Sequence, residues 1–247
     1  MRSIGYLAKL FTRWVRVTLS VSLLLFLAAG STQLSSLRYY LLIFSALLLA
    51  TMFSVDPGLA EERSRPVEKA TTSGRFATGL CFLATLVLAA LDIGRLHRFD
   101  SVSGDVRMGS LLLFGAGTTL QLWAMAINPF FSPEIRLQIE RGHKLVTCGP
   151  YRFVRHPGYL AMIVSVPASG LAIGSWLALA PAAAFCLVIM KRVRAEEEFL
   201  QKNLAGYCDY MRQVRGRLFP RIAVRHCSHR LSVVPKFELR SSDPRWP

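Results

Sequence analysis

Acidic residues are scarce in this chain. Asp and Glu number 15 against 30 Lys and Arg, so 247 residues carry a formal net charge of +15. Cysteine is scarce as well. The five, Cys81, Cys148, Cys186, Cys208 and Cys227, are odd in number and none stand at metal-ligand spacing. Free thiols are expected rather than a disulfide frame. Cys81 and Cys186 fall in apolar stretches, where a thiol packs as a small hydrophobe. The cluster His226-Cys227-Ser228-His229 lies in a polar, basic tail, and no metal is expected there. A dinucleotide fingerprint is also missing. Gly115 and Gly117 sit inside an apolar block with no strand-turn-helix around them, and close helix packing explains them better. No fixed-period repeat is visible. Basic residues flank apolar blocks instead of interleaving with aromatics, which argues against a nucleic-acid partner.

What the chain has is apolar sequence in blocks. Hydrophobic residues make up 52% of it, and their clumping, more than their total, points to a membrane. The blocks are Val17–Gly30, Tyr39–Val55, Phe76–Gly94 and Met108–Ile127. Each of the last three holds the roughly 17–20 residues that cross about 30 Å of hydrocarbon at 1.5 Å per residue. The region Tyr159–Met190 is too long for one upright span. Gly170, Gly174 and Ser175 near its middle predict a helix hairpin with a tight turn. The basic stretch before Val17 resembles the start of a signal peptide, and Ala28-Ala29-Gly30 offers small residues for cleavage. An uncleaved first helix is expected, because more spans follow.

Charge sets the expected topology. Four Lys or Arg precede the first block, and Arg38 is alone in the next loop. Arg63, Arg65, Lys69 and Arg75 precede the third block, and Arg95, Arg98 and Arg107 follow it. Segment 128–158 has five basic residues, the hairpin turn none, and the chain after Met190 thirteen. The alternation places both termini in the cytosol, with the 95–107 loop as its one weak contrast. Asp92, at the end of the third block, is expected to reach the interface. The spans lack the broken, charged mid-membrane helices of a transporter. The expected fold is all-α: a polytopic bundle of about six transmembrane or re-entrant helices, the last two a hairpin, under a cytosolic cofactor-binding cap. Residues 1–127 supply the first helices, 128–220 the catalytic core, and 221–247 a basic, poorly ordered tail.

One stretch differs from the rest. Residues 141–159 are dense in Arg, His, Tyr, Gly and Pro just before the hairpin. Pro157 suits a first helical position, which puts Arg155 and His156 at a helix entrance. After the hairpin, Arg192 and Glu196, and likewise Arg194 and Glu198, stand four apart on shared helix faces. A solvated, salt-bridged helix accounts for that charge by itself. The hairpin, however, returns this helix to the membrane face that holds Arg155 and His156. Convergent polar groups over apolar surface are what a ligand site needs. Tyr207 and Tyr210, three apart, suit interfacial anchoring equally well.

The pattern Gly149-Pro-Tyr151, Arg155-His156-Pro157-x-Tyr159, an apolar hairpin, Arg192, Glu196-Glu197, Gly206-Tyr207, Tyr210 and Arg217-Leu-x-Pro220 resembles the isoprenylcysteine carboxyl methyltransferase family. That family is allied to membrane phospholipid methyltransferases and small-thiol methyltransferases. The resemblance covers roughly residues 128–220. It departs at Ala161, where many relatives have Gly, at Ala205, where Pro is usual, and in the extended tail. It implies a helical membrane enzyme using S-adenosyl-L-methionine. Cofactor contacts carried over are His143, Leu145, Val146 and the backbone to Gly149, Tyr151, Arg155, His156, Tyr159, Glu196 and Glu197. Arg192, Glu197 and Arg217 are the expected catalytic groups. The implied partners are the bilayer and a lipophilic or small methyl acceptor. A carboxylate acceptor needs only a cation such as Arg192 or Arg217 to place it. An amine or thiol needs deprotonation, for which Glu197 or a tyrosine is available. Phospholipid N-methylation, thiol S-methylation and a non-catalytic binding role therefore stay open.

Overall fold

In the computed structural model, residues 4–54, 69–132 and 134–220 are described. The expected tail and the His226–His229 cluster lie outside them. Among the described residues seven α-helices follow one another: α1 Ile4–Ala29, α2 Ser35–Ser54, α3 Lys69–Leu91, α4 Gly104–Ile127, α5 Pro157–Ile173, α6 Leu179–Asn203 and α7 Tyr207–Gln213. Among the described residues, four helices are long and apolar enough to cross a membrane, in α1, α2, α3 and α4. Helices α5 and α6 form the hairpin, turning at Gly174 and Ser175 as the glycines predicted. The protein is a polytopic helical membrane bundle. Many large apolar side chains point outward, among them Leu19, Leu23, Leu42, Phe76, Leu112 and Leu187. In a bilayer this belt faces lipid and needs no protein cover.

Helices α4 and α5 are the most closely packed pair. Gly117 makes this possible, since a Cβ there would stand 3.1 Å from the Ala161 carbonyl oxygen and 3.2 Å from Ser165. Gly115 faces open space, so packing explains only one of the two glycines. Ala161 is fully buried in this contact, and a small residue is enough for it. A core of Leu25, Tyr40, Leu86, Ala90, Phe114 and Ile173 joins the first helices to α5. A second, of Val166, Phe185, Ile189, Val193 and Leu218, joins the hairpin to the last segment.

Two features at the end opposite the basic motifs correct the sequence reading. Asp92 does not reach an exposed interface. It is fully buried where α3 passes into a π-turn, Asp92–Leu96. Its carboxylate accepts from the backbone N–H groups of Arg98 and Phe99 and from the Ser175 hydroxyl. The charge is thus satisfied inside the fold, locking α3 to the hairpin turn. Arg95 donates from Nε to the Ala28 carbonyl at 2.9 Å and from Nη2 to that of Leu27 at 3.1 Å. These are orphan carbonyls at the end of α1. Part of the basic charge that weakened the topology contrast therefore serves as a helix cap.

Candidate active site

Pro157 occupies the first turn of α5 and His156 its N-cap, as the motif requires. The extended segment around Gly216 then pairs with this entrance. The Arg155 N–H donates to the Gly216 carbonyl at 2.9 Å, and that of His156 to the Arg217 carbonyl at 3.1 Å. Two parts of the chain some sixty residues apart are fixed together by backbone bonds that side-chain patterns do not report.

Behind the entrance lies a buried charge cluster. Arg155 donates to Glu197 Oε1 from Nε at 2.7 Å, and its Nη2 lies 2.7 Å from the same oxygen. Its Nη1 donates to the Val214 carbonyl at 2.7 Å. Arg217 faces Glu197 Oε2, and His156 Nε2 stands 3.3 Å from Oε1. Burial pushes the Glu197 carboxyl up, but the hydrogen bonds and charges of His156 and Arg155 outweigh it and hold it at about 2. Glu197 is therefore an anion wrapped by cations in the charged last turns of α6.

Glu196, one residue earlier, faces the other way, into a cavity of about 210 Å³. Tyr159 donates to Glu196 Oε2 at 2.7 Å, and His156 Nδ1 lies 3.8 Å from Oε1. The Glu196 side chain is 26% exposed, against 1% for Glu197. Arg192 lies against the Tyr159 hydroxyl and also lines the cavity. Glu196, expected four residues from Arg192 on a shared face of α6, also turns to α5.

A loop closes the cavity from above. His143 stacks on Phe130, with ring centroids 4.4 Å apart and planes at 12°. Its Nδ1 accepts from the Gln138 N–H at 3.2 Å, which leaves the proton on Nε2 in the neutral ring. Burial first, then the charges of Arg136 and Arg141, push the His143 pKa down and favour that neutral form. Fully buried Gln138 ties this loop together, donating to the Phe130 carbonyl and accepting from Arg141. Asn128, at the end of α4, donates to the Tyr151 hydroxyl at 3.1 Å. Tyr210 donates to the Tyr151 carbonyl at 2.6 Å, and the Tyr207 hydroxyl lies 3.5 Å from His156 Nε2. Both tyrosines are buried in the site instead of anchoring at the interface. Burial pushes the phenols of Tyr151, Tyr207 and Tyr210 up, so they remain protonated hydrogen-bond donors.

The cavity is lined by His143, Leu145, Val146, Tyr151, Arg155, His156, Tyr159, Arg192 and Glu196 among the residues expected from sequence. Gly149, Glu197 and Arg217 do not line it. Gly149 has φ +59° and abuts Ile127, so its part is to turn the backbone. Asn128, Gln138, Tyr207 and Tyr210 are site residues the sequence reading did not assign to it. The Gly206-Tyr207 and Tyr210 motif carried a signal for two of them. Asn128 and Gln138 carried none. Cys81, Cys148, Cys186 and Cys208 are free thiols. Among the described residues no three His, Cys, Asp or Glu side chains converge to hold a metal ion.

The donor set suits S-adenosyl-L-methionine. Glu196 offers an acceptor to an ammonium or ribose hydroxyl, Arg192 a cation to a carboxylate, and Phe130, Leu145 and Leu204 an apolar wall to a purine. Comparison with known proteins bears on the family. Residues 110–202 match the family model described as "Isoprenylcysteine carboxyl methyltransferase (ICMT) family". The chain is 34% identical over 167 residues to the nickel-cobalt-cadmium resistance protein NccN of Alcaligenes xylosoxydans xylosoxydans, covering 66% of this chain and 74% of that one. It is 26% identical to the cobalt-zinc-cadmium resistance protein CzcN of Cupriavidus metallidurans over 78% of this chain and 86% of that one. A probable protein-S-isoprenylcysteine O-methyltransferase of Oryza sativa subsp. indica is 34% identical over 36% of this chain and 47% of its own length. With the motif residues gathered around one cavity at the head of the hairpin, the chain belongs to the isoprenylcysteine carboxyl methyltransferase family.

Proposed function

We propose that this protein is an integral membrane methyltransferase that uses S-adenosyl-L-methionine at the cytosolic face, with both termini in the cytosol. Its acceptor is lipid-like or a small amphiphile. The observation that carries this reading is the split between the two glutamates. Glu197 is consumed in holding Arg155 at the head of α5 and Arg217 together, while Glu196 is presented to the cavity by Tyr159. A helix that served only as a solvated extension has no reason to bury one carboxylate and aim its neighbour into a pocket.

The bound cofactor would supply an electrophilic methyl group on a sulfonium. The residues of this chain would bind and align it. Glu196 and His156 take the polar arm, and the closing loop around His143 excludes water. Arg192 stands where it can place an anionic group. Glu197 and Arg217 act as positioning residues through Arg155 and His156. With the phenols held protonated, a tyrosine would not take a proton from an amine or thiol acceptor. In-line methyl transfer asks mainly for alignment, which can lower the barrier by several kcal/mol.

The test is cofactor affinity. Glu196→Gln is expected to weaken S-adenosylmethionine binding at least about tenfold in calorimetry, with unchanged membrane insertion and thermal midpoint. Unchanged affinity in that variant would overturn the site. The acceptor class is read by incubating membranes with labelled cofactor and a lipid extract, a farnesyl-cysteine analogue or simple thiols, then identifying the product by mass spectrometry.

A further inference from the structure

A second cavity, about 310 Å³, lies deeper in the bundle between α2, α3, α4, α5 and α6. It shares Thr78 and Met162 with the first cavity, so the two adjoin at these side chains. Its lining is apolar apart from a few hydroxyls and one amide. The hydroxyls are satisfied within their own helices. Thr51, Thr78, Thr118, Ser165 and Ser169 each donate to the carbonyl four residues earlier. Gln121 is the exception. It lines the cavity, is only partly buried, and hydrogen-bonds to no described residue. A glutamine amide left without a partner beside an apolar, membrane-embedded space is costly, and a ligand bearing a carbonyl removes that cost.

Gln121 has a fixed relation to the first cavity. Asn128, seven residues on, lines the polar cavity. Seven residues are two helical turns, so both side chains lie on one face of α4, roughly 10 Å apart along its axis. An acyl glycerolipid matches that spacing. About nine bonds separate its terminal head-group atom from its ester carbonyl, a reach of roughly 10 Å when extended. A plain prenyl chain offers nothing at that depth.

We infer that Gln121 is a specificity-determining residue that donates to the ester carbonyl of an acyl-lipid acceptor, whose head lies in the first cavity and whose chain fills the second. This deepens the methyltransferase reading and rests on it for the word acceptor; the lipid site itself does not.

The test uses the purified full chain in detergent, without cofactor. Native mass spectrometry compares retention of diacyl phosphatidylethanolamine with that of its ether-linked dialkyl analogue, which keeps the head group and lacks the carbonyls. Wild type is expected to retain the diacyl lipid roughly tenfold more tightly. Gln121→Leu, apolar in an apolar cavity, is expected to erase the difference, and Thr118→Val to preserve it. Equal retention of both lipids by wild type, or discrimination that survives in Gln121→Leu, overturns the inference and identifies the bound lipid as annular. Discrimination at Gln121 without label transfer to any acceptor supports the lipid site and overturns the methyltransferase reading instead.

Discussion

Replacing Glu197 by Gln removes one charge from a site where the side chain is 1% exposed and its partner Arg155 6%. The substitution keeps shape and volume. What changes is that the Arg155 guanidinium, with Arg217 beyond it, loses its anion while staying buried. Breaking a buried pair from one side costs about 3–5 kcal/mol. The titration of the group gives a similar size. A carboxyl held down from an ordinary 4.5 to about 2 corresponds to on the order of 3 kcal/mol of stability. For a chain of this length, that lowers the thermal midpoint by about 6–12 °C.

The sign of the pH dependence follows. Because the folded pKa is depressed, the contribution is fully present above the unfolded value of about 4.5 and is lost as pH falls toward about 2. The assay is thermal unfolding of the detergent-purified protein, followed by tryptophan fluorescence from pH 7 to pH 3. Wild type should be flat above pH 5 and fall below it, while Glu197→Gln should start lower and lack that component. The double variant Arg155→Met/Glu197→Leu should recover part of the loss, since it removes the orphaned cation. A Glu197→Gln midpoint equal to wild type, or a double variant at the sum of its single changes, refutes the wrapped-anion reading.

Two further substitutions probe the scaffold. A Cβ at Gly94 would stand 2.1 Å from the Ala29 carbonyl oxygen, which is backbone and cannot turn away. Gly94→Ala should cost about 1–3 kcal/mol or more in thermal unfolding, whereas Gly115→Ala, with nothing within 4 Å, should be neutral or slightly stabilising as a helical substitution. Tyr210→Phe removes the hydrogen bond to the Tyr151 carbonyl and leaves that buried acceptor short of a partner. It should cost about 1–2 kcal/mol of stability and weaken cofactor binding in calorimetry by loosening Tyr151, which lines the cavity.

The spans and the hairpin were legible because a bilayer imposes a length and an apolar composition on anything that crosses it. The head of α5 was legible because Pro157 suits a first helical position and stands just before an apolar run. Asp92 was misread for a definable reason. A charge at the end of an apolar block normally goes to water, and nothing near it in sequence announces that Ser175, across the hairpin, and two backbone N–H groups will enclose it. Gln138 escaped notice in the same way. A glutamine between apolar residues carries no pattern, and its role depends on partners that converge only after the loop closes. Periodicity reports which face of an element is apolar. It does not report which polar group on the other face will find a partner.

The adjacent glutamates show what only the fold could decide. From sequence both were expected at the cofactor, and Glu197 was expected to be a catalytic group as well. Neighbours on a helix point about 100° apart, so the two carboxylates reach different sides of the α5 entrance, Glu197 that of Arg155 and Glu196 that of Tyr159. The segment from Val214 to Arg217 determines which is which. Its backbone pairs with Arg155 and His156 and delivers Arg217 to the Glu197 side, which leaves Glu196 the cavity. Exchange of roles would require that last segment to dock on the opposite face of α6. The basic residues of the motif thus fall into two groups: Arg155 and Arg217 assemble the site, and Arg192 stands in it. A substitution in the first group should therefore lower stability and affinity together, and one in the second affinity alone.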